Sequence, residues 1–132
     1  QYVADLAPQS ELAPIAGTMG RYHLMEWINF TATEIHKTFG PLFDPSISEE
    51  LKQRQIGLLS KRFAYLDKHL SEHEFVSGAK FTSADAYLFT TLNWTHVVKM
   101  DVSPWPSLKN YVNRIAGRPA VHETMKAEGL IK

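Results

Sequence analysis

Residues 81–85, Phe-Thr-Ser-Ala-Asp, constrain the fold of this chain more than any other stretch. Thr82 and Asp85 stand three residues apart, immediately before an apolar and aromatic run. This is the spacing of a helix-capping box, in which each side chain hydrogen-bonds the backbone N–H of the other residue. The run that follows leaves little polar surface as far as about Lys99, which is typical of a buried helix. We therefore predict a central helix with other helices packed around it, and we expect Thr82 and Asp85 to be structural and not catalytic.

Further segments have helical periodicity, and no segment has the two-residue alternation of a half-buried strand. Gly40 and Pro41 are a clear helix stop, and Ser46 or Ser48 is placed to cap the helix that follows. The predicted helices run from about residue 13 or 18 to 39, from 49 to 70, from 106 or 107 to 117, and from 119 to 129. An all-α helical bundle is the fold class that this pattern favours.

Composition restricts the classes of partner. The chain has 132 residues, enough for a hydrophobic core, with 14 basic and 14 acidic side chains. The balanced charge argues against nucleic acid or an anionic membrane as a partner. No apolar stretch approaches the roughly 18 residues of a membrane span. Cysteine is absent, which excludes a disulfide or a catalytic thiol within this chain and fits a cytoplasmic protein.

One side of the first long helix carries polar residues at helical spacing. These are Asn29, Thr33, His36 and Lys37. From the residues alone, this side is either an ordinary solvated face or a groove for a polar, anionic ligand. His69 and His73 have the spacing of a helical metal-binding pair, but no third ligand stands near them, and we expect no metal site.

Several motifs together resemble a known family. They are residues 26–30 (Glu-Trp-Ile-Asn-Phe), 32–37 (Ala-Thr-Glu-Ile-His-Lys), 75–78 (Phe-Val-Ser-Gly), 81–89 (Phe-Thr-Ser-Ala-Asp-Ala-Tyr-Leu-Phe) and 118–121 (Arg-Pro-Ala-Val). With them, the chain resembles the C-terminal helical domain of a cytosolic glutathione transferase, and is most similar to the bacterial beta class. The capping box is shared across the superfamily, and residues 29–37 point to the class.

The resemblance implies roles for particular residues. Asn29, Thr33, Glu34 and His36 would bind glutathione, and His36 and Lys37 would lie near its sulfur as catalytic residues. Phe39 and Trp94 would line the pocket for a hydrophobic electrophile. A donor or positive charge near the sulfur would favour the reactive thiolate over the thiol.

The resemblance also implies a larger protein. Residues 1–10 would be the end of a preceding thioredoxin-like domain plus a linker, and residues 11–132 the all-α domain. The complete protein would be a cytoplasmic homodimer that conjugates glutathione to electrophiles in detoxification, or reduces mixed disulfides. We expect this chain alone to be inactive, because the missing domain would hold most of the glutathione site and a cysteine. The alternatives are a non-enzymatic helical interaction module, or a binder of apolar ligands near Trp94.

Overall fold

A computed structural model describes every residue of the chain, from Gln1 to Lys132. It is all-α: the only strand-like pairing is a single bridge between Phe75 and Gly78. The α-helices are α1 (Tyr2–Leu6), α2 (Met19–Phe30), α3 (Lys37–Phe39), α4 (Glu49–Leu70), α5 (Ser83–Val97), α6 (Pro106–Ala116) and α7 (Pro119–Ala127). A π-helical turn, Thr31–His36, joins α2 to α3, and a 3-10 turn, Gly40–Phe43, follows α3. The predicted fold class is confirmed.

The helices begin where capping side chains stand in the sequence. The Thr18 hydroxyl accepts from the N–H of Arg21, and the Ser48 hydroxyl accepts from the N–H of Leu51, at 3.3 Å in each case. Thr82 and Asp85 form the predicted capping box at the start of α5. Of the alternatives left open by the sequence, Thr18 and Ser48 are therefore the starts of α2 and α4.

Helix α5 lies at the centre of the bundle. It packs against α2 and the π-helical turn on one side and against α6 on the other, while α4 packs against α3 and α6. Sixteen buried hydrophobic residues form one continuous core, and four of them belong to α5: Ala84, Leu88, Phe89 and Leu92. The helix is not covered all round, however. Ala86, Thr90 and Val97 are exposed, so the predicted central helix is open on this one face.

Asp85 connects three parts of the bundle. Its side chain is fully buried, and its Oδ2 accepts from the Thr82 N–H at 2.8 Å and from the Thr82 hydroxyl at 2.9 Å. Its Oδ1 accepts from the Val76 N–H at 2.9 Å and from the Tyr111 hydroxyl at 3.0 Å. The carboxylate thus fixes the start of α5, the preceding loop and α6 relative to one another. Burial, with the charge of Asp85 beside it, raises the pKa of the Tyr111 phenol well above its ordinary value.

The first residues pack onto the helical domain. The Arg21 guanidinium donates to both carboxylate oxygens of Asp5 in α1, and its Nε donates to the Pro14 carbonyl at 2.7 Å. The hydrogen bond from Arg21 lowers the pKa of Asp5. None of the helices combines the length and the apolar character that crossing a membrane requires.

Candidate functional site

The π-helical turn between α2 and α3 is a wider turn than the sequence predicts, and it carries three of the four residues predicted to bind glutathione: Thr33, Glu34 and His36. Three threonine hydroxyls donate to carbonyls four residues earlier: Thr31 to Trp27 at 2.9 Å, Thr33 to Asn29 at 3.0 Å and Thr38 to Glu34 at 2.8 Å. Such side-chain bonds compete with the backbone ladder and bend helices. Single π-helical turns within helices are frequent at functional sites.

His36, the last residue of this turn, lies against α5. Its Nδ1 is 2.8 Å from the Tyr87 hydroxyl oxygen, and its ring meets the Trp94 ring edge-on, with centroids 4.7 Å apart. Its Nε2 has no hydrogen-bond partner within the protein, and the residue is exposed. One ring nitrogen is therefore held by α5, while the other is available to a ligand.

Trp94 is the centre of an aromatic cluster that we call the Trp94 cluster: His36, Phe39, Phe43 and Trp94. Phe39 and Phe43 also meet the indole edge-on, with centroid distances of 5.8 and 5.3 Å. Edge-on contacts of this kind stabilise a pair of rings beyond the area that they bury. The indole is thus held in one orientation from three sides.

Of the other predicted residues, three are exposed to solvent and one is bonded to a neighbouring helix. Asn29, Thr33 and Lys37 are exposed, and Lys37 forms no ion pair in the chain. Glu34, in contrast, accepts from Arg62 Nε of α4 at 2.6 Å. Glu34 therefore faces α4 while His36 faces α5, and the structure does not bring these two side chains together.

Phe39 occupies the core, since its side chain is fully buried between Trp94 and Phe63 of α4. It is the support of Trp94, and a ligand meets it only through that ring. We therefore expect Phe39 to shape the predicted pocket from behind Trp94 and not to contact a ligand directly.

Sequence reasoning missed Tyr87 and Phe43. Tyr87 precedes Trp94 by seven residues, which is two helical turns and places both on one face of α5. That spacing was a usable signal. Phe43 comes after the stop at Gly40 and Pro41, and no periodicity connects it to Trp94.

A groove of about 490 Å³ lies on the open face of α5, opposite α7. Trp94 forms part of its wall, so the indole has the aromatic cluster on one side and this groove on another. The lining is mostly apolar and includes Phe81, Phe89, Val97, Val121, Met125 and Leu130.

A larger cavity lies elsewhere. It has about 640 Å³ and is bounded by the segment before α2, the start of α2, the end of α4 and the loop before α5. His69 and His73 line it with their rings stacked 4.2 Å apart. His69 Nε2 donates to the Val76 carbonyl at 3.0 Å, and burial lowers the pKa of His69. Since no predicted binding residue lines this cavity, its size alone does not make it the site, and we assign the site to the residues around His36 and Trp94.

Metal ligands do not converge anywhere in the chain. No group of three or more His, Asp or Glu side chains is arranged to hold an ion. The stacked rings of His69 and His73 each have one nitrogen engaged by a backbone carbonyl.

Comparison with known proteins gives a consistent family. The sequence model described as "Glutathione S-transferase, C-terminal domain" matches residues 30–119. Glutathione S-transferase GstA of Escherichia coli O157:H7 is 39% identical over 130 residues, which cover 98% of this chain and 65% of that protein.

Two solved structures superpose closely on nearly the whole chain. The structure of a sphingomonad glutathione S-transferase complexed with glutathione has a TM-score of 0.93 and 41% identity, over 98% of this chain and 65% of that chain. The bacterial beta-class glutathione S-transferase of Sphingomonas chungbukensis has a TM-score of 0.93 and 42% identity, with the same coverage of both chains. The chain thus spans about 65% of the length of each of these relatives.

Proposed function

Because this chain belongs to the glutathione transferase family, as its C-terminal helical domain, we propose that the complete protein is a glutathione transferase of the beta class. Its reaction is the conjugation of glutathione to hydrophobic electrophiles, as in detoxification, or the reduction of mixed disulfides. The single observation that carries this proposal is His36, whose Nε2 is unpaired and exposed while its Nδ1 and ring face are held by α5.

The chemistry needs a way to favour the glutathione thiolate. Free thiols titrate near pKa ~8.5, so most of the glutathione is unreactive at neutral pH. A hydrogen bond from His36 Nε2–H, or the charge of Lys37 on the next residue, stabilises the thiolate more than the thiol. Both side chains are exposed at the end of the π-helical turn and are therefore accessible to a ligand.

The peptide part of glutathione carries two carboxylates and an ammonium group. Asn29 and Thr33 offer an amide and a hydroxyl on the exposed side of α2 and the π-helical turn. Glu34 contributes as an ion pair with Arg62, and not as a free carboxylate. We propose Asn29, Thr33 and His36 as direct contacts to glutathione, and Glu34 as a binding residue that acts together with Arg62 from the α4 side.

The electrophile meets the aromatic side of the site. Trp94 offers a rigid apolar surface because His36, Phe39 and Phe43 hold its ring on three sides. Pockets for small apolar molecules are lined in this way, with few polar groups beside them. Trp94 is therefore the contact residue, and Phe39 acts behind it.

This chain matches about 65% of the length of its relatives, and the complete protein needs a further domain to match the rest. We assign it to a thioredoxin-like domain that precedes the helical domain, with residues 1–10 as the end of that domain and the linker. That domain supplies most of the glutathione site, so the chain alone is inactive. The complete protein is a cytoplasmic homodimer.

The test uses the helical domain joined to the segment that precedes it in the full-length protein. We expect glutathione-dependent turnover of a chlorodinitrobenzene, and His36→Ala to lower kcat/KM by about 10- to 100-fold, the value of one hydrogen bond to a charged group. His122→Ala, which removes an exposed histidine of α7, is the matched control. Full activity of His36→Ala would remove His36 from the mechanism. Absence of any glutathione-dependent turnover in the unmodified protein would overturn the proposed function itself.

A further inference from the structure

The hydroxyl group of Tyr87 has one hydrogen-bond partner in the chain, and that partner is His36. The two atoms are 2.8 Å apart, across a separation of 51 residues in the sequence. The Tyr87 side chain is half-buried in α5, and the two rings meet edge-on with centroids 5.8 Å apart. The π-helical turn holds His36 and helix α5 holds Tyr87, so the contact does not depend on a flexible loop.

This hydrogen bond restricts which nitrogen of His36 carries the proton. In a neutral imidazole, one ring nitrogen is a donor and the other is an acceptor, and the partner of one nitrogen sets the state of the other. A phenol is a better donor than a neutral imidazole N–H, and a bare imidazole nitrogen is a better acceptor than a phenol oxygen. The Tyr87 hydroxyl therefore donates to Nδ1, and the proton of His36 stays on Nε2.

We propose that Tyr87 is a positioning residue that fixes His36 in the Nε2–H tautomer, with that N–H directed toward the ligand. The step rests on the proposed function, because it makes Nε2–H the donor to the glutathione sulfur. Trp94 completes the arrangement from the other side, since its ring limits the rotation of the imidazole. Without the Tyr87 hydroxyl, Nδ1 loses its partner, the ring is free to exchange tautomers, and only Trp94 limits its rotation.

The tautomer is read directly by nitrogen NMR on the 15N-labelled chain. At about pH 8.5, we expect Nδ1 of His36 to have the shift of an unprotonated, hydrogen-bonded nitrogen and Nε2 that of a protonated one. In Tyr87→Phe, the Nδ1 signal moves toward that of a nitrogen without a partner. Tyr65→Phe is the control, because the Tyr65 hydroxyl has no hydrogen-bond partner in the chain and lies on α4. A protonated Nδ1 in the unmodified chain, or a His36 spectrum that Tyr87→Phe leaves unchanged, would overturn the proposal.

The kinetic arm tests whether the tautomer matters for turnover. In the full-length protein, we expect Tyr87→Phe to lower kcat by about 3- to 10-fold, the size of one neutral hydrogen bond, with KM for glutathione changed less than about twofold. If Tyr87 acts through His36, adding Tyr87→Phe to His36→Ala lowers kcat no further. Fully additive losses, or full activity of Tyr87→Phe, would refute the positioning role. If the full-length protein shows no transferase activity, the proposed function fails, and the NMR result alone still decides whether Tyr87 sets the tautomer.

Discussion

Replacing Asp85 with alanine should destabilise the bundle severely. The carboxylate is fully buried and accepts four hydrogen bonds, at 2.8 and 2.9 Å from Thr82, 2.9 Å from Val76 and 3.0 Å from Tyr111. Asp85→Ala removes the acceptor of all four donors and leaves a space that alanine does not fill. Two of these donors are backbone N–H groups, which cannot turn toward another partner.

The magnitude follows from these contacts. Each backbone donor left unpaired in the interior costs about 1–3 kcal/mol, and the loss of the helix cap costs about 0.5–2 kcal/mol. The two ranges are not simply added, because both include the loss of the hydrogen bond from the Thr82 N–H. The hydroxyls of Thr82 and Tyr111 add little, because they can rotate toward other partners. The expected loss in the free energy of unfolding is therefore about 3–5 kcal/mol. That is a large share of the 5–15 kcal/mol that stabilises a typical domain.

Urea unfolding followed by helical circular dichroism measures this loss. Asp85→Asn should fall between the parent and Asp85→Ala, because its carboxamide keeps one of the two acceptor oxygens. Asp101→Ala is the matched control: its carboxylate accepts from Ser103 in an exposed turn, and we expect a far smaller effect. A loss below about 1 kcal/mol for Asp85→Ala would show that the four donors find other partners, and would refute this accounting. A stably folded but inactive Asp85→Ala protein would instead contradict a purely structural role.

Two further changes test the site and the core. Trp94→Ala in the full-length protein should change the ratio of kcat/KM between a bulky and a small electrophile by about tenfold, because the indole offers apolar surface to the electrophile. KM for glutathione should change little in the same steady-state kinetics. A larger effect on KM for glutathione than on kcat/KM for the electrophile would place Trp94 on the side of the site that binds the peptide. The pKa of Tyr111 is raised in the folded chain, so the unfolded chain loses this phenol proton first as the pH rises. The protonated phenol therefore contributes fully to the free energy of unfolding below about pH 10. Above that pH, the free energy of unfolding falls by about 1.36 kcal/mol per pH unit. Urea unfolding between about pH 9 and pH 11.5 should therefore show a steeper loss for the parent than for Tyr111→Phe, and equal slopes would contradict the raised pKa.

Local hydrogen bonding explains what the sequence made predictable. The caps at Thr18, Ser48 and Thr82 depend only on residues within three positions, so the spacing of side chains is enough to locate them. The Gly40 and Pro41 stop is equally local. Together with helical periodicity, these signals were sufficient for the all-α class and for a short set of candidate helix starts, from which the structure selects Thr18 and Ser48 for α2 and α4.

Features that depend on packing between distant segments were not predictable in this way. Periodicity treats residues 18–39 as one regular helix, whereas Thr31–His36 widens into a π-helical turn. Within this turn, Glu34 and His36 face different helices: Glu34 meets Arg62 of α4, while His36 meets Tyr87 of α5. The partners are 28 and 51 residues away, and a single sequence carries no local signal for either pair.

Apolar composition was likewise an incomplete guide to burial. Phe39 and Trp94 are both large aromatic residues, yet one is fully buried and the other forms part of a groove wall. The difference arises because α4 covers Phe39 through Phe63, while Trp94 stands at the edge where α5 is open. Only the arrangement of the helices separates a supporting ring from a ligand-contacting one.

The two halves of α5 therefore depend on each other. Asp85 fixes the first turn of the helix to the preceding loop and to α6, and the same rigid helix presents Tyr87 and Trp94 farther along. His36 comes from a different segment, and a displacement of α5 by about one ångström away from His36 would lengthen the 2.8 Å contact to Tyr87 to about 3.8 Å, beyond hydrogen-bond distance. Catalytic geometry is sensitive to displacements of this size. The capping box thus contributes to the proposed chemistry without touching the ligand, because it sets the position of the helix against which His36 is held.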